Sequence, residues 1–536
     1  MTSTSKYFIC SLLAGVFTSV QVLAQQARGT YADIDYIRKS NAWLSSKNAA
    51  GLIHYNTVNI SNATLNFRKE DGGFRNYFQS DNSQDYGLQA DSYSRLNNKV
   101  VLSGGFGYKN FKGKNMTGST FIDPYQNPFD IVEIDVANKG TKEFELYRVN
   151  GAVAAQVNSK LSIGAKLDYQ AGNYAKRRDL RHTNKLLAMD LSVGALYQIS
   201  NVVEIGANYN YGRRIESMGF KAFGNKDRQY LSLISYGAFY GRTELFGQYG
   251  YTASDTKNPL KDIRQGGSLQ LNLNFNENIT LFNEFSYADR NGFYGEEGTS
   301  SILLTRHNGA DLAYNGQLSI KADDIEHHVG MRGNYDFLEN SETIYRRETN
   351  LGGVNRIIYY GDRKIFSGVT INAGLTYDLF LDVKNNHPKW AVNFSADYMT
   401  RDKSTGRYPY SREQKINSYQ FSGQVNRQYQ QQKDSFDIGL GIGYGAGSGE
   451  MARDEIIITP AAGYPAPTTM PQFLNEEFEY FTASRIKGNL MFKYTKALRE
   501  DLSTYIKLDY AHIYSGDVTF LGKHFNSTNI SIGCNF

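Results

Sequence analysis

The chain has 536 residues, with 58 Lys and Arg against 53 Asp and Glu, for a net charge of +5. So slight a bias, with no long basic run, excludes nucleic acid as the expected partner. Two cysteines, Cys10 and Cys534, exclude a disulfide framework, and nothing points to a cysteine metal site.

Mean hydropathy is −0.50, yet 40 Tyr and 31 Phe stand against 9 Pro and 2 Trp. Residues 1–24 read as a secretory signal peptide. Lys6 supplies the positive start, Tyr7 to Val22 is largely apolar, and Val22-Leu23-Ala24 is a small-residue cleavage site. No later stretch has the ~18 continuous apolar residues of a membrane helix. Residues 25–58 form a separate segment, either a small stopper in a lumen or a periplasmic tail. Within it, Ala42-Trp43-Leu44 to Ala49-Ala50-Gly51-Leu52 predicts a short helix.

From residue 59 onward the recurring signal has period two. Leu161, Ile163, Ala165, Leu167 and Tyr169 alternate with small or charged residues. Val203 to Tyr211, Leu269 to Phe275, Trp390 to Tyr398, Ile486 to Tyr494 and Leu502 to Tyr510 repeat the pattern. Such alternation puts one residue class on each face of a sheet. A barrel strand is apolar on one face only, so it crosses lipid at low mean hydropathy, and its terminal Tyr and Phe fit an aromatic girdle.

The connections alternate in length. Short ones fall at Asn97-Asn98, Asn158-Ser159-Lys160, Ser200-Asn201, Asn276-Glu277-Asn278, Asp323-Asp324 and Arg499-Glu500-Asp501. Long ones fall near 113–142, 175–185, 213–227, 341–362 and 448–480. Short turns on one side and long loops on the other are the outer-membrane pattern. The expected fold is therefore an all-β, antiparallel, up-and-down transmembrane barrel over 59–536. About 20 strands are expected, within 16 to 22, and an even number closes such a barrel. The last stretch, Phe525 to Phe536, alternates and ends on an aromatic. It resembles the closing strand of bacterial outer-membrane barrels, and that resemblance makes Phe536 an assembly signal read by the barrel-assembly machinery. Outer-membrane lipids and lipopolysaccharide are the remaining expected surroundings.

Strand phase predicts an inward set: Lys166, Asp168, Glu204, Arg485, Lys487, Lys493, Lys507 and Asp509. Inward charges either set solute preference or simply solvate a wet wall. In loop 171–183, Lys176, Arg177, Arg178, Arg181 and His182 surround Asp179. Two readings fit: contacts to an anionic ligand or lipopolysaccharide phosphates, or an internally paired outer loop. Four of the nine prolines, Pro460, Pro465, Pro467 and Pro471, stiffen loop 448–480. The eight histidines sit in no nucleophile or metal motif, and His327-His328 point to opposite faces of a strand. Neither catalysis nor a cofactor is expected.

Trp43-Leu44 with Asn48 to Leu52, Pro124-Tyr125 with Pro128-Phe129, and Lys176 with Asp179 and Arg181-His182 carry a family resemblance. The chain resembles an uncharacterised family of Bacteroidota outer-membrane barrels known only as a domain of unknown function. The resemblance implies a role beside nutrient import, with a TonB-dependent transporter and a surface lipoprotein as partners. It assigns no site residues. Asn48 to Leu52 also resembles the entry of fatty-acid transporter barrels, which have fewer strands. The expected function is a pore or accessory subunit for solute uptake. The alternative is a scaffold that docks partners through its long loops.

Overall fold

The computed structural model describes residues 32–223, 229–254, 258–296, 302–349, 355–384 and 386–536. The expected signal peptide lies outside the described residues. The strands are β1 (Ile60–Gly72), β2 (Asn82–Asn97), β3 (Val100–Met116), β4 (Asp130–Glu133), β5 (Gly140–Gln156), β6 (Leu161–Lys176), β7 (Arg181–Gln198), β8 (Val203–Lys221), β9 (Leu231–Gly237), β10 (Tyr240–Leu245) and β11 (Asn258–Asn274). They continue with β12 (Ile279–Gly295), β13 (Leu303–Ala322), β14 (Ile325–Thr349), β15 (Asn355–Lys384), β16 (His387–Arg407), β17 (Tyr410–Gln431), β18 (Asp434–Ile456), β19 (Thr468–Thr469), β20 (Arg485–Arg499), β21 (Leu502–Tyr514) and β22 (His524–Asn535). Among the described residues two α-helices accompany them, α1 (Ile34–Ser40) and α2 (Pro471–Thr482).

All strands but β4, β9, β10 and β19 form one closed, 18-stranded antiparallel barrel. The wall closes where β1 pairs with β22, from Asn62 opposite Asn535 to Gly72 opposite Phe525. Phe536 extends the seam by exchanging backbone hydrogen bonds with Ser61 at 2.8 and 2.9 Å. A closed ladder has no free edge strand, so where the ladder is continuous the wall N–H and C=O groups are paired without water.

The period-two pattern becomes the two faces of the wall. Leu269 and Ile442 are 66% and 67% exposed, and Ile163, Leu167, Phe285, Leu490 and Ile532 also face outward. A belt of exposed apolar side chains on this scale fits lipid rather than water. Asn158 and Asn276 build the short turns, each side-chain oxygen accepting from two backbone N–H groups at 2.8–2.9 Å.

The other rim differs from expectation. Only Arg177 to Leu180 separate β6 from β7, so 175–185 is a tight turn. The expected loop 341–362 is mostly strand, the tips of β14 and β15. The connections after β3, β8 and β18 fold inward. They supply β4, β9, β10 and β19, which form a separate four-stranded sheet in the order β19-β10-β9-β4. Its core joins Phe121, Phe129, Ile131, Ile234, Tyr236, Tyr251 and Tyr294. The β9–β10 hairpin thus lies inside the lumen instead of adding to the wall.

Candidate functional site: a chamber between two closures

The first closure is built from residues 32–58 at the short-turn end. Asn48 caps a 3-10 turn (Ala49–His54), its side-chain oxygen accepting from Ala50 N at 3.0 Å. Its Nδ2 donates into the wall, to Ala195 O and Gln270 Oε1, both at 2.9 Å. Backbone contact this close requires glycine in the wall. A Cβ on Gly164 would stand 2.3 Å from Ala50 N, and one on Gly194 would stand 2.4 Å from Asn48 Oδ1.

Charged and polar contacts then fix the segment around the lumen. Ser46 Oγ and Lys47 N donate to Glu284 Oε2 at 2.6 and 3.0 Å. Tyr36 Oη donates to Glu326 at 2.9 Å, and Lys39 pairs with Asp378 at 2.8 Å. Arg38 pairs with Asp91 at 3.2 Å. From the wall, Arg95 donates to Tyr55 O and Ile53 O. Trp43 stacks on His54 and meets Phe282 edge-on, with centroids 5.4 and 4.9 Å apart. Residues 32–58 are therefore seated in the lumen rather than trailing below it.

The second closure is the inner sheet with α2. Glu133 of β4 receives two wall ammonium groups, Lys142 at 3.5 Å and Lys176, and all three side chains are fully buried. Lys142 also donates to Ser119 O at 2.6 Å. Asp130 accepts from Ser119 Oγ at 2.6 Å and Tyr77 Oη at 2.9 Å. Burial pushes its carboxyl up to about 6, against the pull of those hydrogen bonds. On α2, buried Glu477 pairs with Arg401 of β16 at 3.1 Å. Burial alone would raise the Glu477 carboxyl, but the Arg401 and Lys403 cations outweigh it and hold it below its ordinary value. The Arg401 guanidinium lies over both the Tyr125 and Phe481 rings, 5.0 and 4.9 Å from their centroids, and so ties two inward connections to one wall strand.

Between the closures lies a cavity of about 620 Å³, with Lys47 below, Tyr125 and Gln126 above, and Lys166, Asp168, Asp190, Arg264, Arg290, Asp311 and Asp336 on its wall. Most of these charges are paired. Arg264 meets Asp311 at 3.1 Å, Arg290 meets Asp262 at 3.0 Å, and Arg148 holds Asp168. A second cavity of about 590 Å³ shares Asn334 and Asn372 with it and reaches Arg332, Tyr480 and Arg485. A third, of about 280 Å³, continues to Lys487 and Glu70 at the seam.

The predicted inward residues fall into three groups. Lys166 and Asp168 line the first cavity, while Arg485 and Lys487 line the others. Lys493, Lys507 and Asp509 share the inner face of the seam; Lys507 pairs with Asp509 at 3.0 Å and Lys493 lies over the Tyr505 ring. Glu204 is covered by the first closure, accepting from Asn272 at 3.1 Å and facing His54 at 3.4 Å.

The predicted loop ligand set needs correction. Lys176 is buried against Glu133, and His182 is buried, its Nδ1 2.9 Å from Asn184 Oδ1. Both are covered because the inner sheet packs on them. Arg177 and Arg178 remain exposed, the first paired with Glu143 at 2.5 Å and the second donating to Lys139 O. Arg181 pairs with Asp179 at 2.9 Å. The five basic groups do not converge on one site. Glu133, Asp130 and Glu477 escaped sequence reading, since each lies in a stretch that reads as loop. Asn48 carried a signal, an N-capping residue ahead of Ala49-Ala50-Gly51.

A closed wall with a lipid-facing belt and a polar, occupied lumen defines a β-barrel of the outer-membrane type. Over residues 49–536 the chain belongs to a family of unknown function, DUF6850. No curated protein matches the sequence. Among solved structures, similar ones include BauA, the ferric preacinetobactin receptor from Acinetobacter baumannii, at 8% identity over 90% of this chain and 80% of that one, with a TM-score of 0.40. A mutant of the ferric enterobactin receptor PfeA from Pseudomonas aeruginosa shares 8% over 90% and 81%, TM-score 0.40. A TodX deltaS2S3 mutant monoaromatic hydrocarbon channel shares 12% over 96% of each chain, TM-score 0.31. At this level of identity and superposition the likeness carries no argument about function.

Proposed function

We propose that the protein is a gated uptake component of the outer membrane: a barrel that holds a polar solute in its central chamber and releases it when a closure moves. The observation that carries this reading is a set of adjoining cavities that share lining residues and carry charged side chains, the first of them between two separately built closures. A barrel that served only as a scaffold would gain nothing from such space. A site of a few hundred Å³ with convergent polar groups is the usual form of a small-molecule site. The first closure is suited to movement, because it contributes no strand to the wall and is held to it by side-chain packing, hydrogen bonds and ion pairs alone.

The scaffold reading has its own support in the dense aromatic core under the long-loop rim. Planar-bilayer recording separates the two. The intact protein is expected to be silent, and a variant lacking both 32–58 and the β9–β10 hairpin is expected to conduct steadily. Silence of that double deletion, still folded as a barrel, would end the uptake reading and leave the scaffold.

A further inference from the structure

We infer that the seam side of the lumen holds an anion site, centred on Arg485 and Lys487, for the carboxylate or phosphate group of a small solute. This deepens the uptake reading and rests on it for its biological role. The binding itself does not depend on it.

The inference begins with a contrast. Across the lumen, six arginines carry carboxylate partners: Arg38 with Asp91, Arg148 with Asp168, Arg264 with Asp311, Arg290 with Asp262, Arg332 with Asp397 and Arg401 with Glu477; Arg95 instead spends both Nε and Nη2 on the carbonyls of Tyr55 and Ile53. Arg485 and Lys487 have no carboxylate partner among the described residues. They lie two residues apart on β20, on the face opposite exposed Ile486, so both cations reach the same side of the wall.

Arg485 is also held in place. Its Nη1 donates to Tyr480 O at 3.3 Å and Ala483 O at 3.4 Å, carbonyls at the C-terminal end of α2. Its guanidinium lies flat on Gly445 of β18, where a Cβ would stand 3.0 Å from Cζ and from Nε. A glycine notch and two carbonyls therefore fix the fork without neutralising it. Among the described residues that leaves Nε and Nη2 without an acceptor, at the meeting of two cavities of about 590 and 280 Å³. A planar fork with open donors matches a two-oxygen anion, and an ammonium beside it adds attraction without fixed geometry. Gln420 lines both cavities as a neutral partner. The nearest opposing charge lining the smaller cavity is Glu70, whose oxygens accept from Ser83 and Ser527 at 3.2 Å each.

The test is calorimetric titration of the intact, detergent-solubilised protein with inorganic phosphate and, separately, acetate, using glycerol as a neutral control. Saturable binding of at least one anion is expected, with none for glycerol. The Arg485→Gln/Lys487→Gln double variant should bind at least about ten-fold more weakly, a loss of about 1.4 kcal/mol. A Lys99→Gln/Lys160→Gln variant removes the same charge at the short turns and should bind as the parent does. Preference for phosphate over acetate, or the reverse, identifies the group. Arg485→Lys keeps the charge and loses the fork, so it should fall between parent and double variant. If the double variant does not fold, Lys487→Gln alone should still weaken binding several-fold. Absence of saturable binding, or equal affinity in a folded Lys487→Gln or double variant, overturns the site. Silence in the bilayer of the variant lacking both 32–58 and the β9–β10 hairpin, with anion binding intact, would count against the uptake reading alone.

Discussion

At the residue scale, a few buried polar side chains decide how the lumen is filled. Asp130 shows the energetic consequence. Its carboxyl titrates near 6 in the folded protein and near 3.8 once exposed, so the folded state holds its proton more tightly. Between those values the folded state binds more protons than the unfolded one, and stability falls as pH rises. The penalty is therefore complete above about pH 6 and gone below about pH 4. Asp130→Asn should remove this contribution, keeping the hydrogen bond from Tyr77 through its amide oxygen. The thermal midpoint of the variant is expected to rise relative to the parent at pH 7 and to match it near pH 4. An equal offset at both values would show that Asp130 is ionised throughout.

At the scale of elements, the wall was legible from sequence, the first closure only as one of two readings, and the inner sheet not at all. Leu161 to Tyr169 and Ile486 to Tyr494 announce themselves because lipid on one side and water on the other impose strict alternation on every wall strand. Asn158 and Asn276 mark their turns because the capping chemistry is local. The inner sheet lacks both signals. β4 is four residues long and buried throughout, and β9 is buried on both faces with a serine on each, so neither shows a period. Their partners are distant in the chain, as when Ile131 pairs with Ile234. For the same reason Lys176 and His182 read as exposed: what covers them comes from elsewhere in the sequence. The Glu133 anchor makes this dependence measurable. Glu133→Gln would leave Lys142 and Lys176 buried without a counter-charge, which costs about 3–5 kcal/mol where a buried pair is broken. The inner sheet should detach while the wall persists. Amide exchange is expected to quicken in β4 and β9 and to stay unchanged in β5 and β6; uniform quickening would mean that the anchor supports the wall as well.

At the scale of the molecule, the barrel and its contents are mechanically separate. The wall closes through β1 and β22, and neither closure supplies a strand to it. The first closure joins the wall covalently just before Ile60, at the short-turn end, and its other attachments are side-chain contacts and hydrogen bonds. Residues 32–58 can then leave the lumen without opening the ladder. A variant lacking them should retain its strand content by circular dichroism and its compact, heat-modifiable migration in detergent gels. It should lose the buried environment of Glu284, Glu326 and Asp378, which the segment now satisfies. These carboxylates would return to water. The melting temperature should fall, because the deletion also removes the apolar packing of Ile37, Leu52 and Tyr55 against Tyr93, Val101 and Phe380 of the wall, but the hydrated carboxylates leave no buried unpaired charge to collapse the barrel. Collapse of the strand signal on deletion would instead make the segment part of the barrel's own stability, and a closure that the wall cannot do without could not serve as a gate.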